Sequence, residues 1–277
     1  MPSKIYSDKN VYEAAQERLQ YIFDTFENVL VAFSGGKDSG VLLNLAYDYA
    51  KSNNMLDKLA MYHLDYEAQY TETTAYVTEC FKAYPGIKKM WICMPVTVPC
   101  AVSVTESYWI PWDPEKKDIW ARDMPNNEHV INIDNAPFKL VSGTADYTFQ
   151  SDLNEWFADQ YGSTAVLIGI RTDESLNRYR AIASDKKVHT YNNKSYLVGN
   201  SHVCSAYPIY DWSVEDVWIA NARFGYSYNR LYDLMYQAGL TIHQMRVASP
   251  FLSQGAESLK MYKVIEPNMW AKLLGRV

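Results

Sequence analysis

The 277-residue sequence is poor in cysteine, with four at positions 80, 93, 100 and 204, and no two of them form a C-x-x-C pair. That spacing excludes a disulfide framework and a zinc ribbon, and no iron–sulfur cluster is expected. Long apolar runs are also missing. No stretch approaches the roughly 18 residues of a membrane-spanning helix, and the first 25 residues alternate charged with apolar side chains, so no signal peptide is expected. Basic charge is in deficit: 26 Lys and Arg against 32 Asp and Glu leave a net charge of −6. A general pull toward nucleic acid or an anionic membrane is therefore absent, and any phosphate site has to be built locally. Together these deficits point to a cytoplasmic protein with reduced thiols. No internal repeat or low-complexity tract is evident.

Hydrophobic residues at 48% and charged residues at 21% are globular values. The length allows one large domain or two small ones at about 150 residues each. Val11, Ala15, Leu19, Ile22, Phe23 and Phe26 recur at helical spacing. Val29 to Phe33 then form an apolar run typical of a buried parallel strand. A helix follows from about Val41, a second strand over Leu59–Leu64 ending at Asp65, and a helix from about Thr71 to Tyr84. A third strand is expected over Lys89–Pro95 and a fourth over Ala165–Ile170, ending at Arg171. This alternation predicts β-α-β units, hence an α/β, Rossmann-like doubly wound parallel sheet. Ligands of such sheets bind beyond the carboxyl ends of the strands, where Ser34–Ser39, Asp65 and Arg171 all fall.

Two segments interrupt the pattern. Residues 104–150 are an aromatic-rich insertion carrying Trp109, Trp112 and Trp120, either a lid that stacks on a ligand ring or core packing beneath a long loop. Residues 186–198 read as a hairpin, Val188–Tyr191 and Ser195–Val198 flanking Asn192-Asn193-Lys194. From Ser213, at capping-box spacing from Asp216, the chain is expected to be helical. The expected division is a nucleotide-binding α/β domain over 1–210 and a helical segment over 211–277 packed on it.

The strongest chemical signal is Phe33-Ser34-Gly35-Gly36-Lys37-Asp38-Ser39-Gly40 between a strand and a helix. Two glycines let the backbone approach a ligand closely, and the helix start offers N–H groups and a positive dipole end to an anion. Ser34 and Ser39 add hydroxyls, Lys37 a cation, and Asp38 a carboxylate suited to a hydrated Mg²⁺. The order is not that of a Walker A loop, because Asp38 follows Lys37 and Ala32 stands where a glycine is needed.

Ser-Gly-Gly-Lys-Asp-Ser after a first strand resembles the PP-loop of the adenine nucleotide α-hydrolase superfamily. Gly169-Ile170-Arg171-Thr172-Asp173-Glu174 followed by Arg178, and Pro208 through Trp212 to Asp216-Val217-Trp218, resemble the branch of phosphoadenosine phosphosulfate (PAPS) reductases and small-subunit sulfate adenylyltransferases. Asp65–Tyr70, Tyr108–Pro125 and the tail from Gln244 through Glu266-Pro267 to Trp270 are similar to the immunoglobulin-binding-regulator A proteins of bacteria and phages. The resemblance implies that Ser34 through Ser39 hold phosphates and that Phe33 and Asp65 approach the adenosine. Gly169 lies in the second motif, and Arg171, Arg178 and Arg180 are either a cationic rim or an exposed basic helix face.

PAPS reductases carry a degraded loop and a nucleophilic cysteine near the C-terminus. This chain keeps the full loop and has no cysteine after Cys204. That favours Mg-ATP and adenylyl transfer to a small anionic acceptor, with Lys37 and Arg171 meeting transition-state charge and Asp38 the metal. Two other readings stand beside it: a sulfonucleotide reductase using Cys204 or a thioredoxin-like partner, and a nucleotide-sensing regulator that docks another protein. RNA thiolation is disfavoured by the acidic charge. His202-x-Cys204 is an activated thiol, half a metal site, or simply a small buried residue at Cys204. His63 is either a proton-transfer group or a structural histidine.

Overall fold

The computed structural model describes residues 6–183, 190–256 and 259–276. A central eight-stranded sheet organises them. Its strands are β1 (Asn28–Ala32), β2 (Leu59–Leu64), β3 (Lys88–Cys93), β6 (Val130–Asn132), β7 (Thr164–Ile168), β8 (Thr190–Tyr191), β9 (Lys194–Gly199) and β10 (Val203–Ala206). They lie in the order β6-β3-β2-β1-β7-β10-β9-β8, and a separate ribbon pairs β4 (Val98–Pro99) with β5 (Tyr108–Trp109). β6, β3, β2, β1, β7 and β10 run parallel, while β9 and β8 complete one edge antiparallel. The α/β, doubly wound arrangement is the one expected.

Side chains of β1 alternate between two cores, and both sides are apolar because helices cover both faces. Val29 and Val31 join Leu19 and Phe23 of α1 (Val11–Thr25), Leu42 and Leu45 of α2 (Lys37–Ser52) and Val77 of α3 (Thr71–Ala83). Leu30 joins Phe149, Leu153 and Phe157 of α4 (Asp146–Tyr161) on the other side. The chain order runs outward from β1 through β2 and β3 on one side and through β7 on the other. The reversal falls between β1 and β7, where such sheets open a crevice at the strand ends.

The insertion departs from a purely irregular loop. Val130–Asn132 forms edge strand β6, paired in parallel with β3 through Trp91 and Val130. Trp109 and Trp112 are buried, and Trp112 meets Trp120 edge-on at 5.1 Å. These rings pack the insertion onto the body, and none of the three lines the cavity described below. The hairpin turns at Asn192-Asn193, both with positive φ, as a two-residue turn requires. Val188 and His189 lie outside the described residues.

Four more helices carry the chain back over the strand ends: α5 (Leu176–Ala183), α6 (Val214–Phe224), α7 (Leu231–Gln237) and the short α8 (Ser253–Ala256). Helix α6 starts on the expected box, the Ser213 hydroxyl accepting from the Asp216 N–H while Asp216 accepts from Ser213. Then come α9 (Leu259–Ile265) and α10 (Pro267–Leu274). Among the described residues, no helix is long and apolar enough to cross a membrane.

Candidate active site

The loop from Phe33 to Gly36 joins β1 to α2 by a left-handed turn at Gly35, φ 78°. A side chain there would be strained and would crowd Thr73 and Val77 of α3. Ser34 and Ser39 close the loop on itself: their hydroxyls are 2.9 Å apart, and the Ser34 N–H donates to Ser39 Oγ at 3.1 Å. Residues from far down the chain brace it. Asn229 Nδ2 donates to the Gly35 carbonyl at 3.0 Å, and the Lys37 N–H donates to Tyr232 Oη at 3.0 Å.

Gly169, just beyond β7, lets this loop seat against the neighbouring strand. A Cβ there would stand 2.9 Å from the Ser39 nitrogen and 3.0 Å from the Asp38 carbonyl carbon. These atoms belong to a helix backbone, which cannot swing aside as a side chain does. Gly169→Val is therefore expected to displace the start of α2 and to weaken any ligand binding in the cavity beside it. Far-ultraviolet circular dichroism together with a ligand titration checks this, and wild-type affinity in the variant would refute the close approach.

Lys37 is buried, with Nζ 3.0 Å from Asp38 Oδ2. Burial draws its ammonium pKa down from the ordinary lysine value, and Asp38 partly restores it. On its other oxygen Asp38 meets Arg171 Nε at 2.5 Å. Arg171 is 3% exposed and also pairs with Asp173 and donates to the Trp212 carbonyl. Arg171 thus lies behind Asp38 and outside the lining of the main cavity, whereas its place at a strand end points to a position facing the ligand. The Asp38 carboxylate, flanked by two cations, does not suit a resident magnesium ion, because the metal would be a third positive charge on one spent ligand. Among the described residues, no three His, Cys, Asp or Glu side chains gather as a metal set.

The loop opens onto a cavity of about 690 Å³ at the strand ends. Ala32, Leu64 and Ile168, the last residues of three adjacent strands, form an apolar floor. Ser34, Gly36, Lys37, Asp38 and Ser39, from the loop between β1 and α2 and the first turn of α2, form one side. Arg178 lines it too, paired with Glu174, and so does Arg246, whose Nη2 donates to the Glu174 carbonyl at 3.1 Å. The segment from Arg246 to Ser253 closes the opposite wall, tied down where the Ala101 N–H donates to the Phe251 carbonyl.

Other expected residues lie elsewhere. Asp65, expected near adenosine, is completely buried with its carboxylate turned inward. Arg122 Nη2 contacts both of its oxygens at 2.5 Å, Trp91 Nε1 donates at 2.7 Å, and the Glu67 N–H at 2.9 Å. Burial alone would raise its pKa, but Arg122, His63 and Trp91 bring it below the usual carboxylate value. The Phe33 ring is in the core, edge-on to Tyr76 at 5.8 Å. Cys204 is buried in β10, its thiol pushed up to about 12 by burial, and His202 pairs instead with Asp159. His202 and Cys204 therefore form no joint site, whereas Cys100 lines the cavity.

Residues 28–99 and 122–238 match the phosphoadenosine phosphosulfate reductase domain. The chain belongs to that family. Residues 239–277 match a second family, described as a domain of unknown function, DUF3440. The PAPS reductase domain match thus covers the Ser34–Ser39 loop, Gly169 and Arg178, and the segment beyond it supplies Arg246 and the closing wall. Over 278 residues the chain is 36% identical to the uncharacterized protein YbdN of Escherichia coli (strain K12), covering 99% of this chain and 67% of that protein. Among solved structures it is similar to PAPS reductase of Candida auris in a phosphate complex, at 15% identity and TM-score 0.44, covering 89% of this chain and 97% of that one. It is also similar to FMN adenylyltransferase of Candida glabrata in complex with ATP, at 12% identity and TM-score 0.44, covering 83% and 62% of the two chains.

Sequence reasoning missed Arg246, Tyr232 and Asn229 as partners of the loop. No local pattern marks them, because each reaches the site only through the return of the C-terminal helices over the strand ends.

Proposed function

We propose that this protein binds ATP in the cavity beyond β1, β2 and β7 and transfers its adenylyl group to an acceptor, with release of pyrophosphate. One arrangement carries the reading: an intact Ser34–Ser39 phosphate loop, with Lys37, Arg178 and Arg246 bordering the same 690 Å³ space. That volume falls in the range of about 300–1,000 Å³ usual for small-molecule sites. The adenosine would lie over Ala32, Leu64 and Ile168, with the phosphates toward the Ser34 and Ser39 hydroxyls.

In the transfer, an acceptor oxygen forms a bond to the α-phosphorus while the bond from that phosphorus to the β-bridging oxygen breaks. The electron pair leaves with pyrophosphate. Lys37 and Arg246 meet the charge that grows on the leaving group, and Arg178 meets an anionic acceptor. Asp38 and Arg171 are positioning residues that hold the Lys37 ammonium toward the loop.

With water as the default acceptor, ATP labelled at the α-phosphate is expected to yield AMP and pyrophosphate slowly and in equal amounts. Arg246→Ala is expected to weaken ATP binding roughly 10- to 150-fold, the loss of a charge-assisted contact. Formation of ADP and inorganic phosphate would overturn the adenylyl reading. One observation favours a second reading, a sulfonucleotide reductase: Cys100 stands in the cavity wall, where Cys204 does not. Tighter binding of PAPS than of ATP would turn attention to that thiol. We further propose kinship with the immunoglobulin-binding-regulator A proteins, on Asp65–Tyr70, Tyr108–Pro125 and the tail from Gln244 to Trp270.

A further inference from the structure

Among the described residues three carboxylates line the cavity: Asp38, Glu174 and Asp146. Asp38 is balanced by Lys37 and Arg171, and Glu174 by Arg178. Asp146 has no cationic partner among the described residues; its side-chain contact there is with Tyr66, whose Oη donates to Oδ2 at 3.1 Å. Burial and Asp146 itself raise the Tyr66 pKa, so the phenol keeps its proton and goes on donating. Asp146 opens α4 and is half-buried, its N–H donating to the Thr97 carbonyl at 3.1 Å. Gln150, one turn further along α4, lines the cavity too and reaches Tyr66 Oη at 3.5 Å. This polar wall stands on the same face of the sheet as the apolar floor, because Ala32, Leu64, Ile168 and Tyr66 pack with Phe149 of α4 in one core.

We propose that Asp146 accepts a hydrogen bond from a ribose hydroxyl and bars a phosphate from that edge of the sugar, so that this carboxylate selects ATP against nucleotides phosphorylated on the ribose, PAPS among them. The proposal rests on the nucleotide reading above. A nucleotide with its phosphates at the Ser34–Ser39 loop would carry its nucleoside across the floor to the wall that Asp146 and Gln150 form. An unbalanced carboxylate there takes a neutral donor well, since hydrogen bonds to an ionised group are about twice as strong as neutral ones. A phosphate ester at the same place has no proton to give and sets like charge against like. Dinucleotide sites divide in the same way, with an acidic residue where the ribose hydroxyl is free and an arginine where it carries a phosphate.

The test is calorimetric titration of the full chain at pH 7.5 with the magnesium complexes of ATP, 2′-deoxy-ATP, 3′-deoxy-ATP, inosine triphosphate and ATP bearing a 3′-phosphate. At least one deoxy form is expected to bind roughly 5- to 50-fold more weakly than ATP. The 3′-phosphorylated form is expected to bind at least roughly 10-fold more weakly. Full ATP affinity in both deoxy forms overturns the proposal, and so does equal affinity of the 3′-phosphorylated form. Either result leaves the nucleotide site itself intact. A loss confined to inosine triphosphate also overturns it, because the wall then reads the base. If none of the five binds, the nucleotide reading fails and the proposal with it.

Asp146→Asn removes the charge while keeping the side chain's shape and an oxygen for the Tyr66 proton. The penalty on the 3′-phosphorylated form is expected to shrink to within about threefold of ATP in this variant, and persistence of the wild-type penalty overturns the proposal. Should the variant not fold, as judged by its melting curve, the wild-type ligand series decides alone.

Discussion

Replacing Arg276 with methionine is expected to lower the melting temperature by about 6–20 °C. Glu67 is completely buried and Arg276 is 5% exposed. The guanidinium donates to both carboxylate oxygens, Nε to Oε1 at 2.8 Å and Nη2 to Oε2 at 3.0 Å, and to the Ile110 carbonyl at 2.7 Å. The same carboxylate accepts from the Trp112 and Ala121 N–H groups at 2.8 Å each. One glutamate thus ties the aromatic insertion to the last turn of the C-terminal segment. Removing its one ionic partner among the described residues leaves an uncompensated buried charge, at a cost of about 3–5 kcal/mol. At about 2–4 °C per kcal/mol for a chain of this size, the stated fall follows. Adding Glu67→Gln removes the stranded charge and is expected to recover part of the loss, so a double-mutant cycle by thermal denaturation isolates the pair. A fall of less than about 2 °C in the single variant would show that Glu67 is otherwise compensated.

Lys37→Ala is expected to weaken ATP binding at least roughly 30-fold, from the loss of about 2–3 kcal/mol of charge-assisted phosphate contact. The apo melting temperature should scarcely move. The lysine is buried at some desolvation cost, and Asp38 keeps Arg171 as its partner after the change. Stability and binding therefore separate in this variant, the opposite of Arg276→Met. Calorimetric titration and thermal melting on the same preparation check both halves. Unchanged affinity would mean that the Ser34–Ser39 loop does not hold the phosphates.

The parts of the architecture that were legible in the sequence are those written locally. An apolar run and a glycine-bearing loop place β1 within a residue, while α2 starts at Lys37, about four residues before the Val41 expected from the amphipathic pattern. The Asn192-Asn193 turn and the Ser213–Asp216 box are equally local. Asp65 shows where such reasoning stops. Its position at a strand end says that it is near the crevice, but its orientation is set by Arg122, 57 residues later in sequence. Arg171 likewise ends its strand as expected, yet its side chain turns to Asp38 and Asp173 because a nearby carboxylate outcompetes an open cavity for a guanidinium. Edge strand β6 escaped because three residues carry too little periodicity, and its strand character comes from β3 beside it. Arg246 escaped for a similar reason: only the tertiary path of the C-terminal segment brings it to the phosphate loop.

The most direct measurement is parallel calorimetric titration of the full chain with Mg-ATP and with PAPS, paired with thermal melting. At a ligand concentration 100 times the dissociation constant, binding stabilises the native state by about 2.7 kcal/mol, so the melting curve reports the same event independently. The account predicts saturable one-site binding of Mg-ATP, tighter than PAPS, with a matching upward shift in melting temperature that Lys37→Ala cuts by about two thirds or more. Tighter PAPS binding would contradict the assignment of ATP. Absence of binding and of any shift with both ligands at millimolar concentration would contradict the nucleotide site itself.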